Sequence, residues 1–189
     1  MARAKKYERL DVVQKAVGVF QEKGYEAASL ADLSEATGLN RKSLYHEFGS
    51  KAGLFAVALS HYMEGKQCKF GHLLIATPLG LNNISQFVQA ACDDGWQGGK
   101  GCLLTLSLNE ENLLTPEHSQ MLRANYRQMT EVFTANLEAA AVSDVSQKVN
   151  FIMSSLLGFT SFVRLAASQA DFQAAVDQVI AVIDSWSVS

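Results

Sequence analysis

Apolar residues recur at three- and four-residue spacing along most of this chain, and only two prolines interrupt the pattern. That spacing matches the helical turn, whereas a half-buried strand needs strict alternation. Leu10, Val13, Val17 and Phe20 form the first stripe, and Leu122, Tyr126, Met129, Phe133 and Leu137 form a longer one. Phe172, Val176, Val179, Ile183 and Trp186 alternate steps of four and three, the seam pattern of helices packed side by side. Strong alternating runs and Asn-Gly hairpin signals are both missing. The pattern predicts an all-α protein, and 189 residues at 48% hydrophobic content allow one domain or two small ones around a buried core.

Start and stop signals divide the stripes. Gly24 after Lys23 ends a first helix predicted over about residues 3–23. Ser29, with Asp32 three residues on, opens a short helix through Ala36, and Thr37-Gly38-Leu39 breaks it. Asn40 is a second N-cap, opening a helix in which Leu44 and Phe48 turn inward while Arg41, Lys42, Tyr45 and His46 turn outward. Ser50 caps a fourth helix over about residues 51–65. Further helices are predicted over 81–93, from Cys102, from Pro116, and over about 146–168 and 171–187, with a glycine-rich loop at 95–101.

A short helix, a glycine turn and a second helix make the unit that lays its second helix in the DNA major groove, and residues 29–48 fit it. Gly38 sits where the chain reverses, a place for positive φ. Charge agrees: residues 1–51 carry a balance of +2 and residues 52–189 a balance of −5, so a phosphate partner would meet one end only. Two amphipathic helices joined by glycine also occur elsewhere, so the pattern by itself leaves open a helical protein-interaction module without sequence-specific DNA binding, or a small helical enzyme.

The run Gly24-Tyr25, Ser29-Leu30, Thr37-Gly38-Leu39, Ser43-Leu44-Tyr45-His46, Phe48 and Ser50-Lys51 resembles the N-terminal signature of the TetR/AcrR family of bacterial regulators. The resemblance covers residues 7 to about 58 densely and the rest in outline. It implies a helix-turn-helix DNA-binding head over residues 1–51 and a helical effector-binding and dimerisation domain over 52–189. It further implies a homodimer, usually a repressor, that leaves a palindromic operator when a small molecule enters the body. Carried onto matching positions, Ser29 would hold a phosphate at a helix N-terminus, Arg41, Lys42, Ser43, Tyr45 and His46 would belong to the reading helix, and Lys51 would grip a second phosphate. Ser34 departs from the family's usual alanine, and Glu47 stands where a neutral or histidine residue is common. A carboxylate there repels phosphates unless it is turned away.

In the body, Phe87, Trp96, Tyr126, Met129, Phe133, Phe159 and Phe162 supply aromatic and methionine area for a ligand pocket or simply for a core. Arg164, in an apolar stretch, calls for an acidic partner, an anionic ligand or solvent. Cys102 follows three nearby glycines and Lys100 and starts a helix, features that favour a reactive thiolate, so it is a candidate electrophile or oxidant sensor as well as a pocket residue. Gly158, Phe172, Val176, Val179, Ile183 and Trp186 are the candidate dimer interface, which the resemblance places in a four-helix bundle.

Three cysteines without C-x-x-C spacing indicate neither a disulfide framework nor zinc, and a reducing bacterial cytoplasm is the expected setting. Asp11, Gln14 and Lys15 interrupt any signal-peptide core, and residues 151–167 contain Arg164 and hydroxyl residues, so neither export nor a membrane span is expected. The glycine loop lacks phosphate-loop spacing, and no H-E-x-x-H or G-x-S-x-G occurs. No catalytic residue, metal or cofactor is expected.

Overall fold

The computed structural model of the protein describes residues 8–99 and 101–187, with Cys68 described by its backbone only. Residues 3–7 of the expected first helix and Lys100 of the expected loop lie outside the described residues. Those described form α1 (Arg9–Ala27), α2 (Leu30–Thr37), α3 (Arg41–Phe48), α4 (Lys51–Ile75), α5 (Leu81–Gly98), α6 (Leu103–Asn109), a 3-10 turn (Glu111–Leu113), α7 (Pro116–Ala139), α8 (Val145–Phe162) and α9 (Gln169–Asp184). No strand occurs among them.

The chain divides into two compact units. One comprises the chain up to Gly65 together with Leu103–Leu122, and the other comprises Lys66–Cys102 and the chain from Arg123 onward. In the first, α1 packs on α2 and α6 around Val13, Phe20, Leu33, Leu44, Phe55 and Leu59. This unit therefore reaches past residue 51 and takes in α6. In the second, α5 packs on α8 and α9 around Ile84, Phe87, Phe133, Ile152, Phe172 and Val176.

Several helices run past the stops read from sequence. α4 continues through Gly65 and Gly71 to Ile75 because Phe70 and Leu74 go on presenting an apolar face, and both are buried. A helical glycine costs about 1 kcal/mol, while burying each of those side chains returns about 1.5–3 kcal/mol. α5 likewise passes Gly95 and ends at Gly99, whose N–H reaches the Gly95 carbonyl at 3.1 Å. Trp96 thereby stays on the helix and stacks on Phe172 at 5.5 Å. α8 stops earlier than expected, at Phe162. Ser168 then caps α9 by accepting from the Asp171 N–H, so α9 starts at Gln169 rather than Asp171.

Candidate nucleic-acid interface

The N-terminus of each of α2 and α3 is fixed by a side chain that the sequence supplies locally. Ser29 Oγ accepts from the Asp32 N–H at 3.1 Å, and the Asp32 carboxylate accepts from the Ser29 N–H at 2.9 Å and from its hydroxyl at 2.7 Å. This reciprocal box satisfies amides that the helix itself leaves unpaired. Lys23 Nζ adds a contact at 2.6 Å to the other Asp32 oxygen. Hydrogen bonds from Lys23 first, then from the Ser29 hydroxyl and amide, hold the Asp32 carboxyl well below the usual carboxylate range.

The turn follows from Gly38 at φ 73°, whose N–H reaches the Ser34 carbonyl at 3.0 Å. Asn40 Oδ1 then accepts from the Ser43 N–H at 2.9 Å and starts α3. Leu44 and Phe48 are buried, as is Leu33 opposite, while Arg41, Lys42, Tyr45 and His46 are exposed and Ser43 is half-buried. Tyr45 keeps 48% of its surface in solvent. The Glu47 carboxylate is turned inward: Arg9 Nε stands 3.2 Å away, and the Glu47 side chain is 9% exposed. The Arg9 guanidinium also lies over the Phe48 ring at 5.2 Å.

Lys51, the first residue of α4, is half-buried. Its Nζ donates to the Glu26 carbonyl at 3.0 Å and sits 4.7 Å from the centre of the Tyr25 ring. Sequence reasoning did not find Arg9, Lys23 or Glu110 as parts of this region. Arg9 and Glu110 act on residues far along the chain, and Lys23 acts on Asp32, nine residues on.

Residues 12–58 match the family model described as bacterial regulatory proteins, tetR family. Along nearly its whole length the chain is 29% identical to YezE of Bacillus subtilis, an uncharacterised helix-turn-helix regulator, covering 97% of this chain and 100% of that protein. Residues 12–58 thus match the TetR family, and the chain as a whole is similar to a helix-turn-helix regulator. It is also 47% identical over 62 residues to the repressor ComR of Escherichia coli, covering 33% of this chain and 30% of that protein. Among solved structures, the TetR-family regulator CifR, a cysteine mutant in complex with a 26-base-pair operator duplex, superimposes with a TM-score of 0.82 at 25% identity. That match covers 95% of this chain and 98% of CifR. The protein is accordingly a DNA-binding transcriptional regulator, and its relatives are regulators rather than enzymes.

The residues singled out in the body of the protein fall in different environments. Phe133 is fully buried, Phe87 and Phe159 nearly so, and Trp96, Met129 and Phe162 are partly buried against the same core. Tyr126 is exposed, at 41% of its surface. Arg164 is also exposed, and its guanidinium lies beside Gly101, where an added Cβ would meet Nε and Nη2 at 3.3 Å. Cys102 is half-buried and immediately precedes α6. Cys92 is buried, and burial, with Asp93 beside it, pushes its thiol up to about 12.

The residues of the α9 seam, with Gly158, differ in burial. Phe172, Val176 and Ile183 are buried inside the protomer, where Phe172 meets Trp96, Phe159 and Phe162. Val179 and Trp186 are half-buried on the same core, and Gly158 alone of the six is exposed. The four-three spacing marks a helix packed on α5.

Proposed function

We propose that this regulator is a cytoplasmic homodimeric repressor, with residues 1–51 as the reading head and 52–189 as the effector and dimer domain, released from a palindromic operator by a small molecule. The observation that carries the reading is the outer face of α3: Arg41, Lys42, Tyr45 and His46 stand in solvent on a helix whose other face is locked by Leu44 and Phe48. Such a face can offer guanidinium and ammonium donors to phosphates or guanine edges, and a ring to a thymine methyl. Ser43 sits at the start of this helix. Ser29, at the N-terminus of α2, and Lys51, at the start of α4, flank α3 as phosphate contacts. Glu47 does not oppose this, because Arg9 neutralises it.

For the effector, the aromatic group of Phe87, Trp96, Phe133, Phe159 and Phe162 with Met129 suits an apolar or aromatic molecule. Tyr126 and Arg164 would serve from its exposed margin, Arg164 toward an anionic group. A covalent version of the same reading uses Cys102, which is half-buried where Cys92 is buried. Exchange of Cys102 for serine separates the two: loss of release by an electrophile supports the covalent route, and unchanged release leaves the non-covalent one.

Selection of duplexes from a random library by purified protein, followed by gel shift, tests the operator. The selected sequence should be a palindrome bound as one complex. Tyr45→Ala should weaken binding at least tenfold with the fold intact, and wild-type affinity would remove α3 as the reading element.

A further inference from the structure

α1 is broken at Gly24, a buried residue with φ 79° and ψ 176°. A carboxylate closes the break. Glu110, one residue past the end of α6, accepts from the Tyr25 N–H at 2.6 Å and from the Glu26 N–H at 3.3 Å. Glycine at position 24 suits both the backbone and the carboxylate, which any Cβ would push aside. Its positive φ strains any residue with a Cβ, and a Cβ there would stand 2.7 and 2.9 Å from the two Glu110 oxygens. Backbone and carboxylate are thus fitted to each other.

The segment that Glu110 holds is the one that aims Lys51. Glu26 gives its N–H to Glu110 and its carbonyl to Lys51 Nζ, and Tyr25 gives its N–H to Glu110 and its ring face to the same ammonium. The Tyr25 ring is in turn set by Phe55 at 4.7 Å and His118 at 5.7 Å. A lysine ammonium on a flexible stem loses rotamer freedom when it grips a phosphate, and a prepared carbonyl and ring reduce that loss. Hydrogen bonds to an ionised carboxylate are the stronger kind, so Glu110 fixes those two peptide groups firmly.

We propose that Glu110 is a positioning residue for DNA binding: by clamping the amides of Tyr25 and Glu26 it fixes the carbonyl and ring that direct the Lys51 ammonium at a backbone phosphate. The inference rests on the reading of Lys51 as a phosphate contact. It gives the turn that follows α6, whose sequence carries no nucleic-acid signature, a defined part in the affinity of the head.

The test uses the full-length protein and the duplex that the wild type selects, comparing Lys51→Ala, Glu110→Gln, Glu110→Ala and the Lys51→Ala/Glu110→Gln pair across a salt series. Gln keeps the shape of Glu110 but presents one accepting oxygen and one amino group to two N–H donors. Each single variant should bind about tenfold more weakly, the size of a lost charge-assisted contact, and each should lower the salt slope by about one phosphate. The pair should bind no more weakly than Lys51→Ala alone, since both changes remove one contact. Melting curves run beside the binding show that the variants are folded. If Lys51→Ala weakens binding while Glu110→Gln keeps wild-type affinity and slope, the inference fails and the phosphate reading stands. If the two losses multiply, Glu110 acts elsewhere and the inference is wrong. If Lys51→Ala has no effect, the phosphate reading falls and takes this inference with it. Loss of folded protein in both Glu110 variants overturns it in favour of a purely structural clamp.

Discussion

Ser34 and Glu47, the two positions at which the resemblance leads one to expect other residues, have opposite physical outcomes. Glu47 is compensated. Its carboxylate turns away from the outer face of α3 and meets Arg9, an ion pair that also lays the guanidinium on Phe48. Ser34 is not: its hydroxyl is buried and has no hydrogen-bond partner among the described residues. A buried hydroxyl without a partner costs about 1–3 kcal/mol in desolvation, and serine is also a poorer helix former than alanine. Ser34→Ala is therefore expected to stabilise the protein, raising the melting temperature by about 2–4 °C for each kcal/mol recovered in a chain of this size. Calorimetry decides it. A lower melting temperature would mean that the hydroxyl makes a bond worth more than its desolvation, and would remove this account of the departure.

Short helices depend on their caps, and α2, with eight residues, depends on Ser29 and Asp32. The Asp32 carboxyl is depressed in the folded protein by Lys23 and Ser29, so its contribution is present above the unfolded value of about 3.9 and fades as pH falls from there toward the folded value. Asp32→Asn should accordingly lower stability at neutral pH, with the two denaturation curves converging as the solution is acidified below about pH 4. A constant gap through that range would show that the carboxylate charge contributes nothing. The cap itself was legible in sequence, because serine and an acid three residues apart just before an apolar run form a local signal, and so was the turn at Gly38. Glu110 was not, since its partners are backbone amides of residues 25 and 26, and amides leave no trace in residue identity. The overrun of α4 past Gly65 was hidden for a related reason: glycine is a local penalty, and the burial of Phe70 and Leu74 that outweighs it is tertiary.

Periodicity located α9 correctly but could not say what its apolar seam packs against, and this bears on how two copies would meet. With Phe172, Val176 and Ile183 buried inside the protomer, a dimer formed through α8 and α9 would use their opposite sides. Phe151, Ser154, Gly158 and Ser161 lie outward on α8, and Ala174, Ala181 and Val182 outward on α9. Small residues at several of these positions permit close helix approach, and Phe151 at 37% and Val182 at 41% exposure supply apolar area. The variant to make is Gly158→Glu with Val182→Glu. Nothing lies within 4 Å of a Cβ built at Gly158, and replacing a helical glycine favours α8, so the protomer should keep its helical content. Two facing pairs of carboxylates in the interface would be desolvated without partners, and light scattering should show half the wild-type mass. Ile183→Asp, by contrast, puts a charge in the protomer core and should unfold the chain instead of dividing it. Operator binding supplies an independent reading of the same change. Reading helices about 34–36 Å apart engage both halves of a palindrome only as a pair, and losing the second, tethered contact should weaken binding by about 10²–10⁴-fold. A variant that stays dimeric and binds at wild-type strength would place the interface on another face of the body.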